Sequence, residues 1–557
     1  MQNTPQVDLT NCDREPIHTL GHVQSFGCLI AVSSDWIVVH ASRNVVDYLD
    51  QPAEEMIGTP FRQVIAEEAL HDLRTAVQVL SGKDAVERVY GVRAKASKDA
   101  FFDVAVHKSG EVILFEFQPH GERRKKDTLD LIRPMVDRLR SEQSIADLCQ
   151  TAARQVRALT GFDRVMVYRF LPDESGEVLA EAAKADLESF LGLRYPATDI
   201  PRQARELYKR SLLRIISNVD DKVSPIIPET NPSGEPLDLS MSVLRAVSPI
   251  HIEYLRNMGV KASMSISILD RGKLWGLFAC HHYSPRVLDY NLRSASELYG
   301  QLFGFLLGQL QTDLSSAEAA KAKGLHNDLM AKLAEGSSIG ESFEAVADAL
   351  TSVIDCEGVA GWIDGEFTAR GVTPTRDEFG PLFRFLNTTQ TSRVYATDSL
   401  QRVHAQAADF VARAAGIMAI PVSRTPRDYI VLCRREIAHA VTWAGNPEKP
   451  AELGPNGIRL TPRKSFEAWK ETVYGHSEPW TDRELETAES LRVTLLEVVL
   501  RMSDAANQEK ERSRQRQDLL IAELNHRVRN ILNLIRGLVN QSQSEARTVV
   551  EFTQTVG

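Results

Sequence analysis

The sequence predicts an α+β fold: three tandem units, each with an antiparallel sheet flanked by helices, joined by long helices. Runs rich in β-branched residues pair around short turns, and stretches with helical apolar periodicity lie between them. The chain has 557 residues, 43% of them hydrophobic. One hydrophobic core rarely organises more than roughly 250–300 residues, so several domains are expected.

The first unit, residues 23–120, contains two predicted hairpins. "CLIAVSSDWIVVHAS" turns around Ser33-Ser34-Asp35, and "AFFDVAVHKSGEVILFEFQP" turns at Ser109-Gly110. The charged run "GERRKKDT" then favours a solvated linker that opens a helix.

The second unit, residues 129–312, contains the predicted strand "RVMVYRFL", the loop "LRYPATDIPRQAR" and a strand pair that turns at Asp270-Arg271-Gly272. A stretch with helical periodicity follows. Its apolar residues recur at three- and four-residue steps, which predicts one face of a long helix that can link domains rigidly; they are Leu298, Leu302, Phe305, Leu306 and Leu310.

The third unit, residues 313–502, includes a Pro- and Gly-containing excursion at about 435–481, a length usually associated with function or disorder. The last segment, residues 503–557, is helical. Its apolar residues predict a heptad seam suited to a dimer interface; they are Leu524, Val528, Ile531, Ile535 and Leu538. His526 lies roughly 200° around the helix from Leu524 and therefore faces away from that seam.

Composition narrows the function. A net charge of −10 argues against a general nucleic-acid binder, because phosphate binding needs a surplus of Lys and Arg. The six cysteines are scattered without metal-ligand spacing, so neither a disulfide framework nor a metal site is expected. No signal peptide or membrane-spanning run is recognisable, and we expect a cytoplasmic protein.

Two groups of residues can carry chemistry. Pro196 and Pro201 fix a loop around Asp199, although an Asp in this setting is commonly a turn former or helix cap. A dense set of arginine, hydroxyl and imidazole groups follows, and it favours a pocket for a large ligand with acidic groups; its members are Arg245, Ser248, His251, Tyr254, Ser263, Ser265, His281 and His282. His526 could attack a γ-phosphate as a neutral imidazole, or it is an ordinary surface histidine.

Together the motifs "YPATDIP", "SPIHIEYLRNMGV", "LWGLFACHH" and "PRKSF" resemble those of bacteriophytochromes, red-light receptors that bind biliverdin. The resemblance implies a leader at 1–22, a PAS domain at 23–120, a GAF domain at 129–312, and a PHY domain at 313–502 with its tongue at about 435–481. "AELNHRVRNIL" resembles the phosphoacceptor helix of HWE-type histidine kinases, with Asn525, Arg527 and Asn530 in pattern. Residues 503–557 would then be part of the kinase dimerisation helices, with His526 as the phosphoacceptor.

By this resemblance the cofactor is biliverdin IXα, joined to Cys12 by a thioether. Plant and cyanobacterial phytochromes place their cysteine where this chain has Ile250, so Cys12 is the expected attachment site, and Cys28 and Cys280 are expected in the core. The leader would thread a GAF loop, plausibly the Pro-rich 225–236 region, forming a figure-of-eight knot. Many relatives have Pro-His-Gly where this chain has Ser25-Phe26-Gly27, which leaves the nearby pocket details open.

The remaining roles also come from the resemblance. Asp199, beside Ile200 and Pro201, would offer its carbonyl to the pyrrole nitrogens and its carboxylate to the tongue. One propionate would meet Arg214, Arg245 and Tyr208; the other would lie near Ser263, Ser265 and His251, with Ser248 also in the site. His281 would bond the terminal ring, which would rotate among Tyr168, Tyr195 and Tyr254. Arg463 would pair with Asp199 in one state, and Ser465 could replace it in the other.

Light would then isomerise the pigment, refold the tongue and switch a homodimeric histidine kinase that signals to a response regulator. The full-length protein is expected to use ATP through a catalytic domain that the sequence, ending at Gly557, does not include. Two alternatives remain: a non-photochemical signalling or scaffold dimer whose GAF pocket binds another small ligand or none, and an output other than a kinase.

Overall fold

The structure is a computed structural model. It describes residues 16–96, 100–121, 128–333, 343–363, 365–388, 393–423, 427–437, 439–444, 451–454, 457–460, 468–545, 550 and 553. Cys12, Arg463 and Ser465 lie outside the described residues. The chain divides into two compact units: Met1–Leu314 with His439–Thr472, and Ser315–Ala438 with Val473–Gly557.

The first unit begins with a strand-rich segment. It contains β1 (His22–Val23), β2 (Cys28–Val32), β3 (Val38–Ser42), α1 (Val45–Leu49), α2 (Ala53–Met56), α3 (Glu67–Val79), β4 (Val86–Arg93), β5 (Phe101–Ser109) and β6 (Val112–Pro119). The chain continues with α4 (Thr128–Leu139), α5 (Ile145–Thr160), β7 (Arg164–Phe170), β8 (Gly176–Ala183), β9 (Arg194–Tyr195), α6 (Arg202–Arg210), β10 (Leu213–Ile216), β11 (Ser224–Ile227), α7 (Pro249–Asn257), β12 (Ala262–Asp270), β13 (Lys273–His282) and α8 (Tyr290–Leu333).

The remaining elements of the chain include the second unit's own antiparallel sheet. The rest of the chain contains α9 (Phe343–Thr351), β14 (Gly358–Ile363), β15 (Glu366–Gly371), α10 (Arg376–Thr388), β16 (Tyr395–Thr397), α11 (Leu400–Val403), β17 (Gly416–Pro421), β18 (Tyr429–Arg434), β19 (His439–Ala444), β20 (Ala451–Gly454), β21 (Gly457–Leu460), β22 (Ala468–Val473) and α12 (Asp482–Glu545). The second unit's sheet has the order β15-β14-β18-β17-β16. No helix within the described ranges combines the length and apolar character needed to cross a membrane.

Two sheets organise the first unit. The first has the order β1-β11-β3-β2-β6-β5-β4, and the second has the order β10-β12-β13-β7-β8-β9-β19-β22. The predicted α+β class with antiparallel sheets and long helices is therefore confirmed. The predicted turn between β12 and β13 is also present: Arg271 and Gly272 have φ values of 47° and 77°, the two positive angles that a type I′ hairpin requires.

Residues 16–24 run between two segments that come about 200 residues later. On one side β1 pairs with β11, and the amide of Ile226 donates to the carbonyl of Gly21 at 2.8 Å. On the other side the amide of Leu239 donates to His18 and that of Ala246 donates to His22. Residues 16–24 are thus flanked on two sides by residues between 224 and 246, a span that includes the predicted 225–236 region.

Helix α8 packs directly on β12. Gly300, Gly304 and Gly308 are four residues apart, so they form one row on the helix, and a Cβ atom at any of them would overlap atoms of Ile266, Leu269 or Asp270. The single face predicted from Leu298 to Leu310 is wrong at Phe305, which is 71% exposed, whereas Leu306 is buried. Phe303 and Leu307, outside that predicted set, complete the buried face.

We predict that Gly304→Ala destabilises the first unit, because the added methyl would meet the backbone carbonyl oxygen of Leu269. Overpacking of this kind typically costs about 1–3 kcal/mol. Gly324→Ala is the matched control: Gly324 lies in the same helix with nothing within 4 Å, so alanine should add up to about 1 kcal/mol of stability. Thermal unfolding followed by circular dichroism measures both changes. Equal midpoints for the two variants would contradict the close packing.

Candidate functional site

The face of the second sheet supplies the floor of the candidate site. Residues two apart in a strand point to the same face, and directly paired residues on neighbouring strands lie side by side. Arg214, Ser265, Ala279 and Met166 form one such row across β10, β12, β13 and β7. Ser263 and His281 pair in the next row, so four of the predicted polar residues share one surface.

Two adjoining cavities lie over this floor. The first is lined by Ile17, Thr198, Asp199, Ile200, Pro201, Gln203, Ala204, Leu207, Tyr208, Arg214, Arg245, Val247, Ser248, Ile250, His251 and Tyr254. The second is lined by Met166, Tyr168, Val178, Tyr195, Asp199, Ile200, Tyr208, Arg214, Ile216, His251, Tyr254, Leu255, Met258, Ser263, Met264, Ser265, Leu277, Ala279 and His281. They share six residues, including Asp199, Arg214 and His251, and therefore form one continuous site, which we call the main cavity.

Two guanidinium groups lie in the main cavity: Arg245 is buried and Arg214 is half-buried. Arg214 donates from Nη2 to the carbonyl of Ala246 at 3.3 Å, and Arg245 donates from Nη1 to the carbonyl of Ile17. Within the described part of the chain, neither has a carboxylate oxygen within 4.0 Å, and the Nε of Arg245 has no hydrogen-bond partner. Burial lowers the pKa of Arg214; burial and the nearby Arg214 lower the pKa of Arg245 well below its ordinary value. An anionic ligand in this cavity would therefore be favoured, because it would compensate the two positive charges.

Two imidazoles in the main cavity are neutral at physiological pH. Burial, with a further contribution from Arg214, lowers the pKa of His251 to about 4. Burial, reinforced by Arg164 and His251, lowers the pKa of His281 to about 3. Among the described residues the Nδ1 of His281 has no hydrogen-bond partner. A ligand that offers one polar group there would satisfy it.

Aromatic side chains form one wall. The rings of Tyr168 and Tyr195 are 5.8 Å apart in an edge-on arrangement, and both are almost fully buried. Gly176 makes room for Tyr168, because a Cβ atom there would overlap the ring. The hydroxyl of Tyr254 donates to Oδ2 of Asp199 at 3.2 Å, which links this wall to the loop between β9 and α6.

The described cysteines lie away from the main cavity. Cys28, Cys149, Cys280 and Cys433 are buried, and burial raises the pKa of each thiol. Cys356 is half-buried, and burial raises its pKa to about 12. None of these five lines either part of the cavity, and Ile250 does line it. The prediction that Cys28 and Cys280 are core residues is confirmed.

Comparison with known proteins identifies the family. Residues 12–120 match the model of a PAS fold, 144–304 a GAF domain and 322–504 the phytochrome region. The chain is 35% identical to cyanobacterial phytochrome B of Nostoc over 96% of its own length and 72% of that protein's. It is 37% identical to the bacteriophytochrome of Pseudomonas aeruginosa over 98% and 74% of the two lengths.

The chain belongs to the phytochrome family. The crystal structure of a bacteriophytochrome from R. palustris superimposes with a TM-score of 0.78 at 34% identity, over 88% of this chain and 99% of that one. The photosensory core of the Stigmatella aurantiaca phytochrome gives 0.76 at 36% identity, over 89% and 99%. This is a phytochrome-type red-light photoreceptor with a PAS-GAF-PHY module, and membership of the family implies a bilin chromophore.

In this phytochrome the main cavity brings together every predicted pigment-contacting residue that the structure describes. These are Tyr168, Tyr195, Asp199, Ile200, Pro201, Tyr208, Arg214, Arg245, Ser248, His251, Tyr254, Ser263, Ser265 and His281. The sequence-based prediction missed Leu277 and Ala279, whose two-residue spacing from His281 along β13 was available as a signal. It also missed Ile17, for which no local pattern exists.

Ser25 and Phe26 of this phytochrome do not line the main cavity. The Ser25 amide donates to Oδ2 of Asp221 at 2.7 Å, and the guanidinium of Arg293 lies 5.5 Å from the centre of the buried Phe26 ring. The two residues that depart from Pro-His-Gly therefore contact Asp221 and Arg293. His526 lies elsewhere, on the exposed surface of α12, with Asn530 Nδ2 at 3.4 Å from its Nδ1.

The stability of the pigment-free phytochrome should fall as the pH is lowered from about 6.5 to 4. The folded-state pKa of His281 is lowered to about 3, so in this window the unfolded chain binds a proton that the folded chain does not. His281→Gln should flatten the dependence of the unfolding free energy by about 1.4 kcal/mol per pH unit. Urea titrations at several pH values test this, with His71→Gln at an exposed site as control. A slope in His281→Gln equal to the wild type's would contradict burial of a neutral imidazole.

Proposed function

We propose that this phytochrome binds biliverdin IXα covalently through Cys12 and uses red and far-red light to switch a histidine-kinase output. The observation that carries the proposal is the pair of guanidinium groups in the cavity, the buried Arg245 and the half-buried Arg214, without a carboxylate partner among the described residues. Burying such charges is unfavourable unless a ligand supplies the opposite charge. One propionate of a bilin would do so.

The other groups of the main cavity fit the same pigment. Ser263, Ser265 and His251 would hold the second propionate, and the neutral His281 would donate to the carbonyl of the terminal ring. Bound there, biliverdin would supply red-light absorption and a double bond that isomerises. The edge-on Tyr168 and Tyr195 rings would exclude water from this end of the cavity and restrict the terminal ring.

Attachment to Cys12 is supported by the position of the leader. Ile17 lines the cavity, and its carbonyl accepts from Arg245. Five residues of extended chain span at most about 17 Å, so Cys12 lies within reach of a pigment in this cavity. The five described thiols have raised pKa values and lie away from the cavity. Attachment through the leader is the mode that the family uses for biliverdin rather than for reduced bilins.

The tongue would relay the light signal. Strand β19 pairs in parallel with β9 at Trp443 and Arg194, five residues before Asp199. We propose that Arg463 pairs with Asp199 in one state and that Ser465 replaces it in the other. A refolding tongue is a two-state element that both the pigment and the helices could bias.

The output would be a homodimeric histidine kinase. In the described chain the seam residues Leu524, Val528, Ile531, Ile535 and Leu538 are 49–61% exposed, which is unfavourable for a lone helix in water. Pairing with a second copy would bury them and leave His526 accessible for phosphorylation. ATP, bound by a catalytic domain, would be the phosphate donor, and a response regulator the acceptor.

Spectroscopy tests pigment binding. The purified chain mixed with biliverdin should show a red band that interconverts with a far-red band under alternating illumination. Arg463→Ala should change the lifetimes of the two forms. An unchanged free-pigment spectrum would overturn the proposal and favour a non-photochemical GAF protein that binds another ligand or none.

The same samples test the attachment site. After denaturation the wild type and Cys356→Ala should retain the pigment on the chain, whereas Cys12→Ala should lose it, because only a thioether survives unfolding. Pigment that stays on denatured Cys12→Ala would show that another residue forms the bond.

Analytical ultracentrifugation tests the dimer. Ile531→Asp should weaken self-association roughly tenfold or more, since it removes buried apolar surface and introduces a charge at the seam. Asn533→Asp, an exposed change of equal charge off the seam, is the control. Equal dimerisation of the two variants would place the interface elsewhere.

A further inference from the structure

A separate cavity of about 290 Å³ lies where the first sheet, the end of α6 and the start of α8 meet. Its lining includes Asp84, Arg88, Gln118, Arg210, Arg293, Ser294 and Glu297. None of these residues lines the main cavity. We call it the Arg293 cavity.

The charges of the Arg293 cavity do not balance. Asp84 is paired with Arg210, whose Nη2 lies 2.7 Å from Oδ1, and Glu297 is paired with Arg88. Among the residues that line the cavity, Arg293 is the cation without a carboxylate partner; outside the lining, Glu116 and Asp289 also act on its charge. It is only 5% exposed, and no carboxylate oxygen within the described part of the chain lies within 4.0 Å of it.

Two buried hydrogen-bond donors of the residues that line this cavity have no partner among the described residues. Arg293 donates from Nη2 to the side-chain oxygen of Gln118, and its guanidinium faces the rings of Phe26 and Tyr290 at 5.5 and 5.2 Å. Its Nε has no hydrogen-bond partner among the described residues, and neither has the Nε2 of the buried Gln118. Burial lowers the pKa of Arg293 to about 10, so the group stays charged at neutral pH.

We propose that the Arg293 cavity binds a small oxyanion, a phosphate or carboxylate group on a small molecule, as a second ligand site of the protein. The guanidinium of Arg293 and the side-chain amide of Gln118, residues that both line the cavity, would donate to its oxygens. Charge-assisted hydrogen bonds to an oxyanion would compensate the buried cation, which the aromatic rings and one amide oxygen do only in part. The existing Arg210–Asp84 and Arg88–Glu297 pairs would border the ligand and disfavour anions of high charge.

Calorimetric titration of the 557-residue chain tests the site with two probes, inorganic phosphate and acetate, in chloride buffer of constant ionic strength. Saturable binding of either probe is expected, and the probe that binds identifies the preferred group. In pigment-free protein the same anions could also meet Arg214 and Arg245. Arg245→Gln therefore serves as a comparison variant that should retain the Arg293 site.

Arg293→Gln should weaken binding at this site roughly tenfold or more, because it removes charged hydrogen bonds. Arg140→Gln, the same change of charge at an exposed position, should bind like the wild type. Ser294→Leu is the second test: it narrows the cavity without changing any charge and should also weaken binding. Circular dichroism establishes that each variant is folded.

The assignment would be overturned by three results. The first is the absence of saturable binding of both probes to the wild type, which would indicate a water-filled cleft. The second is binding that Arg245→Gln abolishes and Arg293→Gln leaves intact, since the anion would then sit in the main cavity. The third is a folded Ser294→Leu variant with unchanged affinity. None of these results depends on whether the protein binds a bilin.

Discussion

The main cavity depends on holding two neighbouring guanidinium groups, the buried Arg245 and the half-buried Arg214, without carboxylate partners among the described residues. Taking these charges out of water is unfavourable by several kcal/mol per ion even in a relaxed protein. Backbone carbonyls compensate in part: Arg245 donates to Ile17, and Arg214 donates to Ala246. One of these carbonyls belongs to the leader. The position of residues 16–24 and the compensation of the cavity's positive charge therefore depend on each other.

The side chain of Gln24 fixes the position of residues 16–24 through three hydrogen bonds. Its side chain is 3% exposed, donates to the carbonyls of Ile215 and Arg245, and accepts from the amide of Ser217. All three partners lie about 190–220 residues away along the chain. Because a buried amide must satisfy its donors and acceptors, this side chain specifies one register of the leader against the GAF segments.

The sequence allowed the α+β class, the β12–β13 turn and a set of residues that line the main cavity to be predicted, for different physical reasons. The turn follows from local backbone preferences of Asp270-Arg271-Gly272, whereas the set came from combined motifs. Ile17 could not be predicted in the same way, because its place in the cavity arises from pairing between β1 and β11, some 200 residues apart. Phe305 was misplaced because helical periodicity marks an apolar face but does not say which side chains meet a partner.

The segment that contains Ser25 and Phe26, where many relatives have Pro-His, contacts residues of both cavities. Gln24 binds the carbonyl of Arg245, and Phe26, two residues later, lies against the guanidinium of Arg293. Gly27 follows in close contact with Leu244, and a side chain at this position would overlap neighbouring atoms. A phenylalanine at position 26 places an apolar ring, and no titratable group, beside Arg293. Phe26 therefore supplies no counter-charge to that cation, whose charge is acted on by Glu116 and Asp289.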